Sequence, residues 1–65
     1  MELWVAGWSS EVEGIWEILG IYDTEELAVA RCHNYDNSGC FVGPMALNED
    51  LPNELVEWPG NYFVT

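Results

Sequence analysis

Residues 2–9, ELWVAGWS, place apolar or aromatic side chains at nearly every position, and a polar stretch, SSEVEG, follows at 9–14. Residues 14–22, GIWEILGIY, repeat the apolar pattern. Aromatic and β-branched runs of this length, separated by turn residues, predict two strands joined as an antiparallel hairpin. Side chains alternate between the two faces of a strand. Strict alternation puts Leu3 and Val5 on one face of the first strand and Trp4, Ala6 and Trp8 on the other. In the second strand it puts Ile15, Leu19 and Ile21 with Glu17 on one face, and Trp16, Ile18 and Tyr22 on the other. Both faces of the hairpin are then largely apolar. One helix covers only one of them, so the C-terminal segment or another subunit must cover the second. The pattern therefore predicts a homo-oligomer, most simply a dimer.

DTEELAVARC, residues 23–32, changes the period and predicts a helix. Asp23 is placed as N-cap, with Glu26 three residues on completing a capping box. Glu25 and Glu26 occupy the first turn, where the helix dipole favours anions, and Arg31 lies near the other end, where it favours a cation. Leu27, Ala28, Cys32 and Tyr35 form the expected buried stripe. NYDNSG, residues 34–39, is turn chemistry. CFVGPMAL, residues 40–47, predicts a third strand that lies at an edge or bulges at Gly43-Pro44, because proline has no N–H for a sheet ladder. Pro52 and Pro59 interrupt the rest, EWPG reads as a turn, and NYFV as a short last strand. The expected fold class is α+β in a single domain, 1–65. It has a small antiparallel sheet in the order β-β-α-β, one helix packed on a face, and an extended aromatic C-terminal arm.

Composition sharpens this picture. A chain of 65 residues buries only about 60% of its unfolded surface, so every large ring matters to its core. Nine aromatic residues, four of them Trp, set it apart from disordered acidic tails, which are poor in aromatics. Twelve carboxylates face one Arg and no Lys, for a net charge of −11. Such a surface repels nucleic acid, which rewards cations, and anionic membranes alike. It speeds encounter with positively charged partners. Met1-Glu2 opens on an acid rather than on a basic stretch followed by a long apolar run, and no apolar run approaches the ~20 residues of a membrane span. The expectation is a cytoplasmic protein whose Cys32 and Cys40 are reduced thiols, with a Cys32–Cys40 bridge as the geometric alternative.

Candidate chemistry is sparse. Cys32, His33, Asp36 and Cys40 lie within nine residues, but adjacent Cys32 and His33 diverge on a helix, and the spacing is not that of structural zinc sites. A buried Cys32, a helix-terminal His33 and a strand Cys40 account for them without a metal. The paired carboxylates Glu11 and Glu13, Glu25 and Glu26, Glu49 and Asp50, and Glu54 and Glu57 fall in turns and exposed helix positions. General acid–base work needs contrasting, partly buried sites. They read either as a solvated coat or as a charged binding surface. No glycine-rich phosphate loop is present, and Asp23, Glu25 and Glu26 occupy the one helix N-terminus that otherwise favours anions. Trp4, Trp8, Trp16, Trp58, Tyr62 and Phe63 serve a core, an interface or, by stacking, a ring ligand. No catalytic residue, cofactor or metal is expected, and the chain is read as non-enzymatic.

Four stretches carry a resemblance: the aromatic first strand, EILGIYDTEELA, FVGPMALNEDLP and the closing VEWPGNYF. In these the chain resembles small acidic proteins encoded by bacteriophages and their bacterial hosts. The resemblance implies an accessory protein of the bacterial cytoplasm, of a class that includes inhibitors of host defence or of nucleic-acid enzymes. The expected function is thus to present a nucleic-acid-mimicking surface to a basic site on a host protein. Its expected contacts are Glu11, Glu13, Glu25, Glu49, Asp50, Glu54 and Glu57, with Trp58 as anchor. The alternative is a homo-oligomeric sponge that holds a nucleotide-like signal between subunits, with Arg31 on phosphate and Trp8, Trp16 or Tyr62 on the base.

Overall fold

The computed structural model describes residues 2–10, 12–35 and 39–64. The chain runs β1 (Glu2–Ser10), β2 (Ile15–Tyr22), α1 (Glu25–His33), β3 (Cys40–Ala46), a 3-10 turn (Leu55–Glu57) and β4 (Tyr62–Phe63). The four strands form one sheet in the order β2-β1-β3-β4, each neighbouring pair antiparallel. The α+β class and, among the described residues, the single α-helix are as the sequence predicts. β1 is antiparallel to both β2 and β3, so those two run parallel, and parallel strands need a crossover connection. The crossover is α1, which packs on β1, β2 and β3.

Three local expectations change. The helix N-cap is Thr24, whose Oγ1 accepts the Leu27 N–H at 3.2 Å. Asp23 stands one residue further out, and Glu26 falls at the second helical position, so no capping box forms. The buried stripe is Ala28 and Cys32, joined by half-buried Val29 and Tyr35. It turns Leu27 outward, 51% exposed. The strict alternation in β2 breaks because Ala6 faces Gly20 while Gly7 faces Ile18, leaving Leu19 as an extra, bulged residue. A bulge inverts the alternation on one side of it. Leu19 and Tyr22 therefore pack on the helix side with Trp4 and Ala6, whereas Trp16 packs on the opposite face.

Each face of the sheet has its own core. Under α1, Ala6, Ala28, Cys32, Cys40 and Val42 are buried together. Small side chains at Ala28 and Cys32 let the helix lie close to the sheet. On the other face Val5, Phe41 and Trp58 form a second cluster, flanked by Trp16, Met45 and Leu55. Burial of each large side chain there contributes about 1.5–3 kcal/mol. The segment expected as an extended arm supplies that cover by folding back. Trp58-Pro59-Gly60-Asn61 closes a β-turn in which the Asn61 N–H donates to the Trp58 carbonyl at 3.3 Å. Gly60 has φ 86°, the left-handed geometry that the third position of such a turn requires. β4 then pairs with Phe41 and Val42 only, so β3 has an open edge at Pro44. The proline thus stands at a local edge within an unbroken strand.

Candidate functional site

Trp58 organises the second face. Its indole lies against Gly43, where an added Cβ would sit 2.6 Å from Trp58 Cε2, so only glycine admits the ring at this distance. The indole Nε1–H donates to the Pro44 carbonyl at 2.8 Å, capping part of the edge that β4 leaves open. Phe41 meets it edge-on, with centroids 6.0 Å apart at 75°, and Trp16 is tilted against it at 6.1 Å. Trp58 is only 5% exposed. The structure thus places the expected anchor in the core, and only as one wall of a groove does it reach the surface.

That groove has a volume of about 630 Å³. It is lined by buried Trp58, half-buried Pro44 and Met45, and the exposed Glu2, Glu49, Asp50 and Glu57, among others. None of its described lining residues is a cation. Local backbone geometry sets Glu49 there. Asn48 adopts φ 69°, the Glu49 N–H donates to the Ala46 carbonyl at 3.2 Å, and Glu49 Oε2 accepts the Ala46 N–H at 3.4 Å. Glu2 arrives through the sheet, since the β1–β3 register pairs it with Ala46. Among the described residues, no group of three or more His, Cys, Asp or Glu side chains is placed to hold a metal ion.

The other expected contacts lie elsewhere. Glu54 lines a second groove, of about 440 Å³, with Ser9, Ile15, Trp16, Leu55 and Phe63. Glu13 sits in the β1–β2 turn, where its N–H donates to Ser10 Oγ at 3.2 Å, at the opposite end of β1 from Glu2. Glu25 belongs to the first turn of α1 and accepts the Tyr62 O–H, which raises the Tyr62 pKa above its ordinary value, mainly through that bond. Glu11 and Asp36 lie outside the described residues. The acidic residues expected to act together thus divide among separate regions, and Glu49, Asp50 and Glu57 are those brought to one groove. Glu2 was not among the expected contacts. Its signal is the strand register, which residue pattern alone does not reveal.

Residues of the alternative site are dispersed. The Arg31 guanidinium lies over the Tyr35 ring, 5.5 Å from its centroid, in the last turn of α1. Trp16 packs on the opposite sheet face. Tyr62 is tied to Glu25, and Trp8 pairs with Glu17 and Cys40 along the sheet. Neither groove has Arg31 in its lining. Both cysteines are free and buried. Cys32 donates to the Phe41 carbonyl at 3.4 Å, and burial, reinforced by a hydrogen bond with Cys40, pushes its pKa up to about 12. A thiol so hard to ionise is a poor nucleophile. No helix is long and apolar enough to cross a membrane among the described residues.

No family model, curated protein or solved structure matches this chain.

Proposed function

We propose that this chain is a non-enzymatic binding protein that presents its carboxylates to a basic site on a nucleic-acid-handling or defence protein of a bacterial host. The observation that carries the reading is the gathering of Glu2, Glu49, Asp50 and Glu57 on one groove without a cation among its described lining residues. The overall excess supports it as well: the described residues carry ten carboxylates and one Arg, a balance that speeds encounter with a basic site.

The protein acts as a homodimer in the host cytoplasm on this reading. Ile18 and Ile21 remain 36% and 59% exposed on β2, an edge strand of the sheet, and open edges invite pairing with another chain. The sponge alternative needs a subunit interface to bring Arg31 of one protomer to an aromatic ring of another.

The test is competition with duplex DNA. A host protein captured by the chain is expected to be a nucleic-acid-binding protein, to be released by added duplex, and to bind more weakly as salt screens the charges. Glu49→Gln, Asp50→Asn and Glu57→Gln together are expected to slow association and leave folding intact. Capture that is indifferent both to duplex and to salt refutes the proposal.

A further inference from the structure

We infer that the Trp58 groove accepts an arginine side chain presented by an extended segment of the basic partner. The inference rests on the acidic-surface reading above and names what that surface grips.

The groove combines two features that single out such an occupant. Its lining mixes apolar residues, Pro44, Met45 and Trp58, with four exposed acidic residues, Glu2, Glu49, Asp50 and Glu57. A long basic side chain matches both parts, since its methylene stem covers apolar surface while its head stays among charges and water. The volume of about 630 Å³ lies within the ~300–1,000 Å³ of ligand-sized pockets, enough for a side chain and its flanking backbone.

The placement of the carboxylates argues against a bare metal ion. No three of the described acidic side chains are grouped to hold one. Carboxylates spread around a groove suit a cation that is itself spread out. Arginine has five N–H donors in a planar fork and can engage more than one carboxylate at once, whereas lysine is a compact point charge. Two of its lining residues are held in place. Trp58 is held by Pro44, Gly43 and Phe41, and Glu49 is held on the turn after β3.

Trp58 also provides the readout, because its indole N–H gives its own signal in a ¹⁵N-correlation spectrum. The intact ¹⁵N-labelled protein is titrated with a capped Gly-Ser-Arg-Ser-Gly peptide, and in parallel with the same peptide carrying lysine. Arginine peptide is expected to shift the Trp58 indole signal and the Glu49 and Glu57 amides saturably, and to bind more tightly than the lysine peptide. The combined variant Glu49→Gln, Asp50→Asn, Glu57→Gln is expected to bind at least about tenfold more weakly, as loss of several charge-assisted bonds implies. A control with Glu13→Gln and Glu17→Gln, at the end of β1 and β2 away from Glu2, is expected to stay within about twofold, the scale of exposed charges remote from the contact. Circular dichroism confirms that each variant is folded.

Shifts spread evenly over every acidic region, falling alike in both variants, overturn the groove and leave the acidic-surface reading standing. Equal affinity for the lysine peptide overturns the choice of arginine. Absence of any shift overturns the groove as an arginine site, while the acidic-surface reading stands or falls with the duplex and salt competition.

Discussion

Replacing Trp58 by alanine tests the account of the second core. The indole is 5% exposed, rests on Gly43, bonds to the Pro44 carbonyl and meets Phe41 edge-on. Truncating a buried Trp costs about 3–5 kcal/mol, and losing the Nε1–H donor removes a further hydrogen bond of about 1 kcal/mol. At 0.05–0.15 kcal/mol per residue, a domain of this length has a total stability of about 3–10 kcal/mol. Trp58→Ala is therefore expected to remove from about half to all of that stability. Trp58→Phe keeps a ring against Phe41 but loses the donor and part of the volume, and is expected to cost about 1–2 kcal/mol. With a urea slope of about 1 kcal/mol per molar for a small domain, its midpoint falls by about 1–2 M. Val12→Ala, at a position 97% exposed, is the control and should stay within about 0.5 kcal/mol. Far-UV circular dichroism during urea unfolding is the suitable assay, because it does not depend on the removed fluorophore. A midpoint for Trp58→Ala equal to that of Val12→Ala would refute the reasoning and show that the folded-back arm is not pinned by this ring.

Three further outcomes follow from the same structure. Gly43→Ala puts a methyl 2.6 Å from Trp58 Cε2, so the ring must shift; a loss of about 1–3 kcal/mol is expected, with a changed near-UV spectrum and a moved Trp58 indole signal. Thr24→Ala is expected to cost about 1 kcal/mol through loss of the N-cap, and Asp23→Ala less, since Thr24 is the residue that caps Leu27; thermal unfolding of the two variants decides between them. The Cys32 pKa of about 12 in the folded chain exceeds the ~8.5 of a free thiol. Its proton is then retained on folding and lost on unfolding between those values, so stability falls as pH rises through that window, by up to about 1.4 kcal/mol per unit. Cys32→Ala should flatten that slope in urea titrations, and native Cys32 should react with a thiol reagent at mildly alkaline pH far more slowly than after unfolding.

Local pattern decided a good deal about this protein. Runs of aromatic and β-branched residues between turn signals are enough to mark β1, β2 and β3, and a change of period marks α1 though not its N-cap, because each depends on backbone preferences and on a period read within about ten residues. The excess of carboxylates is likewise a property of composition, and so is the expectation of a basic partner that follows from it. Tertiary structure decided what pattern leaves open. Whether Leu19 bulges depends on how β2 meets β1, and that single residue sends Trp16 and Tyr22 to opposite faces. The sequence left the second face to be covered by the C-terminal segment or by another subunit, and the segment's place as that cover rests on Gly43, which alone leaves room for Trp58. The acidic groove joins Glu2 to Glu49, Asp50 and Glu57 across most of the chain. Charges so far apart in sequence come together only when strand register and the folded-back arm fix their positions, and neither leaves a periodic trace in the residues themselves.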